Sequence, residues 1–171
     1  MLRAYKYRIY PTDEQKVLFA KTFGCCRFVY NWALNLKIEA YRQEKRSVAY
    51  KEVQDRLVNE LKKENQWLAE VNSQALLNSI RNLDIAYKNF FRDTHAVEFP
   101  RFKSRKNRQS FQCPQHCSID FAKGTITIPK AKDIPAVLHR GFKGTVKTVT
   151  VSMTPSGRYF ASILVCLLYT S

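Results

Sequence analysis

One isolated strand at the start of the chain constrains the fold more than any other feature. Across residues 2–10, apolar and basic side chains alternate with the period of two that is typical of a half-buried strand. A lone strand needs neighbours for its backbone N–H and C=O groups. The next strand-like segments come only after residue 95, so we expect the first strand to pair far along the chain. The alternating residues are Tyr5, Lys6, Tyr7, Arg8 and Ile9.

The segment between residues 11 and 95 has a helical pattern. Thr12 and Gln15 match a capping box, which predicts a helix from about Asp13 to Phe23, and Gly24 is expected to end it. Apolar residues at three- and four-residue steps predict three more helices: one ending near Arg46, one from Ser47 to about Lys63, and one starting near Ser73. The side chains expected to pack the helical core are Phe28, Trp32, Leu83, Tyr87, Phe90 and Phe91.

After His95, prolines and turn residues interrupt the helical periodicity. Four short segments show the composition and alternation of strands, and pairing them with the first strand makes the helices an insertion in a β domain. The predicted fold class is therefore α+β. The predicted strands are Ser118–Phe121, Thr125–Ile128, Thr145–Met153 and Tyr159–Val165.

Positive charge is in large surplus. The 171 residues include 29 Lys+Arg and 14 Asp+Glu, a net charge of +15, and residues 99–171 hold 12 of the basic but only 2 of the acidic residues. Such a surplus repels itself and usually serves a polyanionic partner. With no membrane-spanning apolar stretch, no signal peptide and an odd number of cysteines, we expect a cytoplasmic, nucleic-acid-binding protein with reduced thiols and no membrane partner. The oligomeric state stays open.

The densest basic run lies between Phe99 and Arg108. A bare run of charge is usually a solvated linker, but the aromatic and proline residues at its start favour an ordered segment that holds phosphate. Its cations are Arg101, Lys103, Arg105, Lys106 and Arg108.

A second basic cluster depends on how the strands pair. Arg3, Lys6 and Arg8 lie on the first strand, while Lys143 and Lys147 begin a later one. If the two strands were close, these cations would form one face that supports nucleic-acid binding. An ordinary exposed sheet face explains the same residues equally well.

Groups suited to catalysis or metal binding are scarce. Cys113, His116 and Cys117 are residue types that bind zinc, but their spacing is irregular and no second ligand pair accompanies them. Asp120 and Asp133 are the only acidic residues after residue 98, and they are not adjacent. We therefore predict no catalytic residue and no metal site.

Four segments, in order, resemble the N-terminal half of the TnpB family. TnpB proteins, also called OrfB, are RNA-guided nucleases of insertion sequences, and their helical part carries the older name of a helix-turn-helix transposase domain. The resemblance covers residues 1–165. The matching segments are Lys6–Thr12, Arg27–Asn31, Asn82–Phe91 and Phe99–Lys103.

The resemblance implies an interrupted architecture and two nucleic-acid partners. A wedge β-barrel would begin with residues 1–10, a helical recognition domain would occupy residues 11–95, and the wedge would resume over residues 96–165. The family binds a guide RNA and reads a short flanking motif in double-stranded DNA. By position, the residues at the flanking-motif surface would be Tyr50, Gln54, Ser73, Gln74, Gln115 and His116.

The sequence departs from the family after Val165. In the family a RuvC-like nuclease domain follows, with three acidic residues that hold Mg²⁺ and cysteine pairs that hold a structural Zn²⁺. Here residues 166–171 break the strand pattern, and we interpret them as a foreign tail, with continuation of the strand as the alternative. We thus expect a truncated TnpB-like RNA-guided DNA endonuclease that binds without cutting and holds no cofactor. The alternative is a free-standing DNA-binding regulator.

Overall fold

The computed structural model describes residues 1–93 and 95–168 of the protein. Its fold is α+β, as predicted, and it contains helices and a curled seven-stranded antiparallel sheet that forms a half-barrel. No helix in the described residues is long and apolar enough to cross a membrane. The elements in chain order are β1 Leu2–Ile9, α1 Asp13–Glu44, α2 Tyr50–Arg56, a π-helical turn Leu57–Leu61, α3 Lys62–Glu64, a 3-10 helix Gln66–Glu70, α4 Ser73–Arg92, β2 Gln109–Cys113, β3 Ser118–Asp120, β4 Thr125–Ile128, β5 Ala131–Val137, β6 Gly144–Met153 and β7 Tyr159–Leu167.

The first strand lies in the middle of the sheet. The strand order is β2-β6-β7-β1-β5-β4-β3. Along its whole length β1 pairs antiparallel with β7, from Leu2 opposite Cys166 to Ile9 opposite Tyr159. Its other edge pairs with β5 at Arg8 and Ile9. The expectation that the first strand finds its partners after the helices is therefore confirmed.

Apolar side chains cover one face of this sheet. Tyr5, Tyr7 and Ile9 are at most 6% exposed, which confirms the alternation predicted for β1. The rings of Phe19 and Phe111 lie 5.7 Å apart on the same side. Burying one large apolar side chain contributes about 1.5–3 kcal/mol, so these contacts hold the start of α1 against the sheet.

The chain divides into two compact units. One, the sheet unit, comprises residues 1–23 and the described part of residues 105–171. The other, the helical unit, comprises residues 24–104. The predicted boundaries lay at residues 10 and 95. In the structure, the first three turns of α1 belong to the sheet unit, and the loop after α4 up to residue 104 belongs to the helical unit. The wedge and recognition-domain labels stay predictions.

The prediction that Gly24 ends a helix is wrong. Both halves of the capping box are present, since Thr12 N–H donates to Oε1 of Gln15 (2.9 Å) and Gln15 N–H donates to Oγ1 of Thr12 (3.2 Å). The helix then runs through Gly24 to Glu44 without a break. Gly24 lacks the left-handed backbone that makes glycine a helix stop, and Lys45, with φ 54°, ends α1 instead.

The core of the helical unit differs from the predicted one. Within this unit, the buried side chains of α1 are Cys25, Cys26, Val29, Tyr30, Ala33 and Leu34. Val29 and Ala33 each follow one of the predicted core residues, Phe28 and Trp32. Phe28 is 37% exposed, and Trp32 is half-buried. On α4, Leu83 is buried as predicted, Tyr87 and Phe90 are half-buried, and Phe91 is 68% exposed. Phe28 and Phe91 were therefore wrong as core residues. On α1 the neighbouring Val29 is the buried side chain, and on α4 the buried positions end at Leu83, two turns before Phe91.

The predicted helix starting near Ser73 is confirmed. It is α4, and Asn72 caps it by accepting a hydrogen bond from Gln74 N–H (3.2 Å). The predicted helix from Ser47 to Lys63 begins three residues later, at Tyr50, and contains the π-helical turn Leu57–Leu61.

All four predicted strands are present, as β3, β4, β6 and β7. Two others, β2 and β5, were missed. In β2 only Phe111 and Cys113 are buried, so the apolar alternation is short. In β5, Pro135 interrupts the pattern, although its carbonyl oxygen accepts a hydrogen bond from Tyr10 N–H (2.7 Å).

The last strand continues past Val165. Cys166 and Leu167 belong to β7 and pair with Thr145 and Gly144 of β6, so the strand-continuation alternative holds for these two residues. Leu168 N–H donates to the carbonyl oxygen of Lys143 (3.0 Å). Residues 169–171 lie outside the described residues, and the foreign origin of the tail stays a prediction.

An asparagine holds the start of the basic run in the helical unit. Asn31 Oδ1 accepts from the backbone N–H of Lys103 (2.7 Å), and Asn31 Nδ2 donates to the backbone carbonyl of Lys103 (3.0 Å). Both bonds of one side chain thus engage a single residue of an otherwise irregular segment. This part of the run is fixed to α1 and is no free linker.

Replacing Gly24 with alanine should stabilise the protein. A Cβ there meets only Nη2 of Arg27, at 3.7 Å, and alanine favours a helix by roughly 1 kcal/mol over glycine. Chemical unfolding followed by circular dichroism measures the change. The matched control is Gly157→Ala, which should destabilise, because Gly157 has φ +86°. Destabilisation by Gly24→Ala would show that α1 is broken at this point.

Replacing Asn31 with alanine should release the basic run. Loss of two hydrogen bonds is expected to cost roughly 1–2 kcal/mol of unfolding free energy and to speed hydrogen exchange at the Lys103 amide. Asn35 is exposed on the same helix, so Asn35→Ala is the control and should leave that exchange unchanged. Equal protection in both variants would argue against the clamp.

Candidate nucleic-acid interface

The predicted site residues divide between the two units, and each group is described by itself. Those in the helical unit are Tyr50, Gln54, Ser73, Gln74, Arg101 and Lys103, and those in the sheet unit are Lys6, Arg8, Arg105, Lys106, Arg108, Gln115 and His116.

In the helical unit, the two cations of the basic run are already engaged. Arg101 pairs with Glu98 (2.9 Å), but both side chains are more than three-quarters exposed, so this ion pair contributes little. The ammonium of Lys103 lies 4.4 Å from the ring centre of Tyr30. Burial lowers the pKa of Lys103, although part of the residue remains exposed. Lys103 therefore anchors the segment, while Arg101 can exchange its weak partner for phosphate.

The four remaining predicted residues of this unit lie on helices that pack together. Tyr50 and Gln54 are half-buried on α2, and Ser73 and Gln74 form the first turn of α4. Elements α2 and α4 contact each other. Within the described residues these four side chains form no hydrogen bond, so their polar groups can contact an external ligand.

A cavity of about 640 Å³ in the helical unit lies among aromatic side chains that include Tyr41, Phe91 and Phe99. The three cations that line it already have partners. Arg42 and Arg46 pair with Glu39 (3.2 Å) and Glu52 (2.9 Å), and the Lys37 ammonium donates to the carbonyl oxygen of Val48 (2.6 Å). The cavity contains none of the predicted site residues.

In the sheet unit, β1 presents two cations on the face opposite its buried side chains. Lys6 and Arg8 alternate with Tyr5, Tyr7 and Ile9, and side chains two apart share a face. Next to them on β7 is Phe160, which pairs directly with Arg8. The Lys6 ammonium lies 4.6 Å, and the Arg8 guanidinium 5.6 Å, from the Phe160 ring centre.

The same face continues across β6 to the end of the basic run. Phe160 pairs with Ser152 of β6, and Ser152 pairs with Ser110 of β2. Arg108, just before β2, donates from Nη2 to Oγ of Ser152 (3.0 Å). We call Lys6, Arg8, Phe160, Ser152 and Arg108 the cationic face. The structure thereby brings two predicted regions together.

No carboxylate among the described residues neutralises the cationic face. Strands β1, β2, β6 and β7 contain no Asp or Glu, and Lys6, Arg8 and Arg108 form no ion pair within the described residues. Nε of Arg8 is buried and has no hydrogen-bond partner there. A buried unsatisfied donor costs roughly 1–3 kcal/mol.

The other predicted cations do not all join this face. Arg105 and Lys106 are exposed at the start of the second segment of the sheet unit. Gln109 fixes their turn by donating to the carbonyls of Arg105 (3.3 Å) and Asn107 (2.8 Å). Lys147 sits at an irregularity between Val146 and Thr148, where β6 shifts its register against β7. The alternation therefore does not place Lys147 on the cationic face, and Arg3 lies on the opposite face of β1.

The loop after β2 does not have the geometry of a zinc site. Gln115 and His116 are exposed, and His116 has φ 60°. The Cys117 thiol donates toward the carbonyls of Cys113 (3.5 Å) and Gln115 (3.4 Å). A hydrogen bond with Cys113, followed by burial, raises the pKa of Cys117, so a neutral thiol is favoured over the thiolate that binds metal. Among residues 1–93 and 95–168, no three His, Cys, Asp or Glu converge to hold a metal ion.

Sequence reasoning missed Phe160, Ser152 and Tyr10. The ring of Tyr10 lies 4.8 Å from the Arg8 guanidinium and extends the aromatic part of the surface. The alternation in β7 places Phe160 on the face opposite the buried Ala161, and this pattern could have identified Phe160 as a surface residue. The pairing register that puts Phe160 beside Arg8 was not readable from the sequence.

Comparison with known proteins agrees with the resemblance of the motifs. Residues 1–46 match the model of a helix-turn-helix domain of the OrfB type. That description implies two helices joined by a turn, whereas here residues 13–44 form one helix.

Three curated relatives align with the chain. A candidate RNA-guided DNA endonuclease of Streptomyces pristinaespiralis is 37% identical over 168 residues, which are 95% of this chain and 41% of the relative. The candidate RNA-guided DNA endonuclease InsQ of Escherichia coli K12 is 36% identical over 163 residues, 95% of this chain and 40% of the relative. The virulence protein VsdF of Salmonella dublin is 35% identical over 116 residues, 63% of this chain and 98% of that protein.

The chain thus spans about 40% of the length of the two endonuclease relatives and matches them over nearly all of its own length. These alignments, the matched domain and the order of the four motifs agree, and the chain belongs to the TnpB/OrfB family.

Proposed function

We propose that this chain binds a guide RNA and the flanking target DNA, as the nucleic-acid-binding part of an RNA-guided DNA endonuclease. The relatives with this name supply the class of activity. In such systems base pairing reads most of the target, while protein contacts hold the backbone and a short flanking motif.

The cationic face is the observation that carries the proposal. Three cations lie there with no carboxylate partner among residues 1–93 and 95–168, and one of them has a buried donor that finds no acceptor in the same range. Cations that repel one another lower the stability of a fold unless an anion neutralises them. A phosphate backbone supplies evenly spaced anions, and we assign the guide RNA to this face.

The other predicted residues extend the proposal. Arg101, Arg105 and Lys106 would hold phosphate along the basic run, with Lys103 as its anchor. The hydroxyl, amide and imidazole groups of these residues suit hydrogen bonds to base edges, so we assign them to the flanking DNA motif. The residues are Tyr50, Gln54, Ser73, Gln74, Gln115 and His116.

Replacing Lys6, Arg8 and Arg108 together with alanine should weaken RNA binding. Each lost phosphate contact reduces the slope of log affinity against log salt by about 0.7–0.9, so the triple variant should bind at least tenfold more weakly with a slope shallower by roughly 2. Fluorescence anisotropy across a salt series measures both quantities.

The matched control replaces Lys51, Lys63 and Arg81, which are exposed on the helical unit, and removes the same charge. Equal losses in the two variants would mean that net charge alone drives binding, and would remove the specific role of the cationic face.

A free-standing DNA-binding regulator is the second candidate. The description of the matched domain favours it, whereas the uninterrupted α1 counts against it. A gel shift decides, because a regulator would retain duplex DNA without RNA and bind structured RNA poorly.

Residues 1–171 should bind target and guide without cutting. The expectation follows from the scattered acidic residues, since two-metal hydrolysis needs carboxylates that converge. Incubating the chain with Mg²⁺, guide RNA and labelled target DNA should leave the DNA intact on a denaturing gel. Nicking that survives further purification would reveal an active site within these residues.

A further inference from the structure

We propose that the sheet unit has a second nucleic-acid site, on the side of β1 opposite the cationic face, which takes an unpaired polynucleotide strand. It consists of Arg3 and Tyr5 of β1, Phe121 after β3, and Arg140 and Phe142 in the loop between β5 and β6. We call these five residues the loop cluster. The proposal goes beyond the proposed function, which uses none of these five residues and, on β1, only the opposite face.

Alternation along β1 separates the two sites. Arg3 and Tyr5 lie at odd positions, whereas Lys6 and Arg8 lie at even positions, and successive side chains of a strand point to opposite faces. The pairing of Arg3 with the buried Val165 gives the same assignment. A strand of nucleic acid on one face therefore cannot use the cations of the other.

Two guanidinium groups share one ring in the loop cluster. Arg3 and Arg140 each lie 5.4 Å from the ring centre of Tyr5. Neither forms an ion pair within the described residues. Residues 1–12 and 134–168 contain no Asp or Glu, and Asp120, next to Phe121, uses Oδ1 to accept from Lys123 N–H (3.0 Å). The two positive charges thus lack an internal counter-ion, which a phosphate would supply.

A run of rings leads from this charge to the surface. The Tyr5 and Phe142 rings lie 5.0 Å apart, and the Phe142 and Phe121 rings 5.2 Å apart. Phe121 is 41% exposed at the end of the run. A base with a free face can stack on such a ring, whereas bases inside a duplex are covered by their neighbours. Cations beside an exposed ring therefore favour an unpaired strand.

The loop that supplies Arg140 and Phe142 is held in place. The Tyr7 hydroxyl donates to the carbonyl oxygen of Arg140 (2.6 Å), and the Tyr7 and His139 rings lie 5.5 Å apart. Burial raises the pKa of Tyr7, so the hydroxyl keeps its proton and its role as donor at neutral pH. A loop fixed in this way loses little entropy when a ligand binds.

The test counts short strands bound per chain. Calorimetric titration with a six-nucleotide oligouridylate should give two molecules per wild-type chain. The variant Arg3→Ala/Phe121→Ala/Arg140→Ala should bind one, and Lys6→Ala/Arg8→Ala/Arg108→Ala should also bind one. A loop-cluster variant that binds as many strands as the wild-type chain would overturn the loop-cluster site.

If the cationic-face variant still bound two oligonucleotides while the loop-cluster variant bound one, the result would contradict the proposed function and support the loop-cluster site. The control variant Lys132→Ala/Arg158→Ala removes two positive charges, as many as the loop-cluster variant does, from exposed positions elsewhere in the sheet unit. It should still bind two oligonucleotides. Phe121→Leu keeps an apolar side chain without a ring, so affinity at the loop cluster should fall about tenfold if stacking contributes. Unchanged affinity in Phe121→Leu would overturn the stacking role.

Oligothymidylate and a blunt DNA duplex complete the experiment. Binding of both oligouridylate and oligothymidylate assigns the cluster to unpaired strands in general, and binding of oligouridylate alone assigns it to RNA. Duplex bound at the loop cluster as tightly as the single strands would overturn the preference for an unpaired strand.

Discussion

The fold depends on the ladder between β1 and β7. It joins the first residues of the chain to the last described strand, from Leu2 opposite Cys166 to Ile9 opposite Tyr159. Without this ladder, β1 would lack its main partner in the sheet, and its apolar side chains would not join the sheet's apolar face. The residues inserted between these two strands add little to the entropic cost of pairing them, because the entropy of closing a loop grows only with the logarithm of its length. A long insertion is therefore compatible with a sheet that pairs the two ends.

The register of that ladder also determines which side chains can meet a ligand. Because side chains alternate, a slip of one residue would move Lys6 and Arg8 into the apolar face and turn Tyr5, Tyr7 and Ile9 outward. The cost of burying cations and exposing aromatic rings excludes that register. The same alternation places Arg3 and Lys6 on opposite faces of β1. One strand therefore presents cations on two sides of the sheet, although it contains only three basic residues.

How much the sequence predicts depends on whether the interactions are local. The capping box at Thr12 and Gln15, the start of α4 and the strand β4 follow from neighbours within a few residues, and the structure has them as predicted. Gly24 was misread because local propensity disfavours glycine in a helix, whereas the apolar contacts on both sides of it keep α1 continuous. Strand β5 was missed for a similar reason. Its pairing with β1 and β4 outweighs the unfavourable Pro135, and no local pattern reveals that pairing.

The candidate interface was predictable only in part, since it combines local and long-range order. Lys6 and Arg8 follow from alternation within β1, but Phe160 and Ser152 join them through pairing across three strands. The two units also differ in how many of their cations are paired with carboxylates. In the helical unit, cations such as Arg42, Arg46 and Arg56 have glutamate partners at 2.9–3.2 Å. In the sheet unit, Lys6, Arg8 and Arg108 have no carboxylate partner within the described residues. Cations gathered in this way repel one another, and the proposed polyanionic ligand would supply the balancing charge.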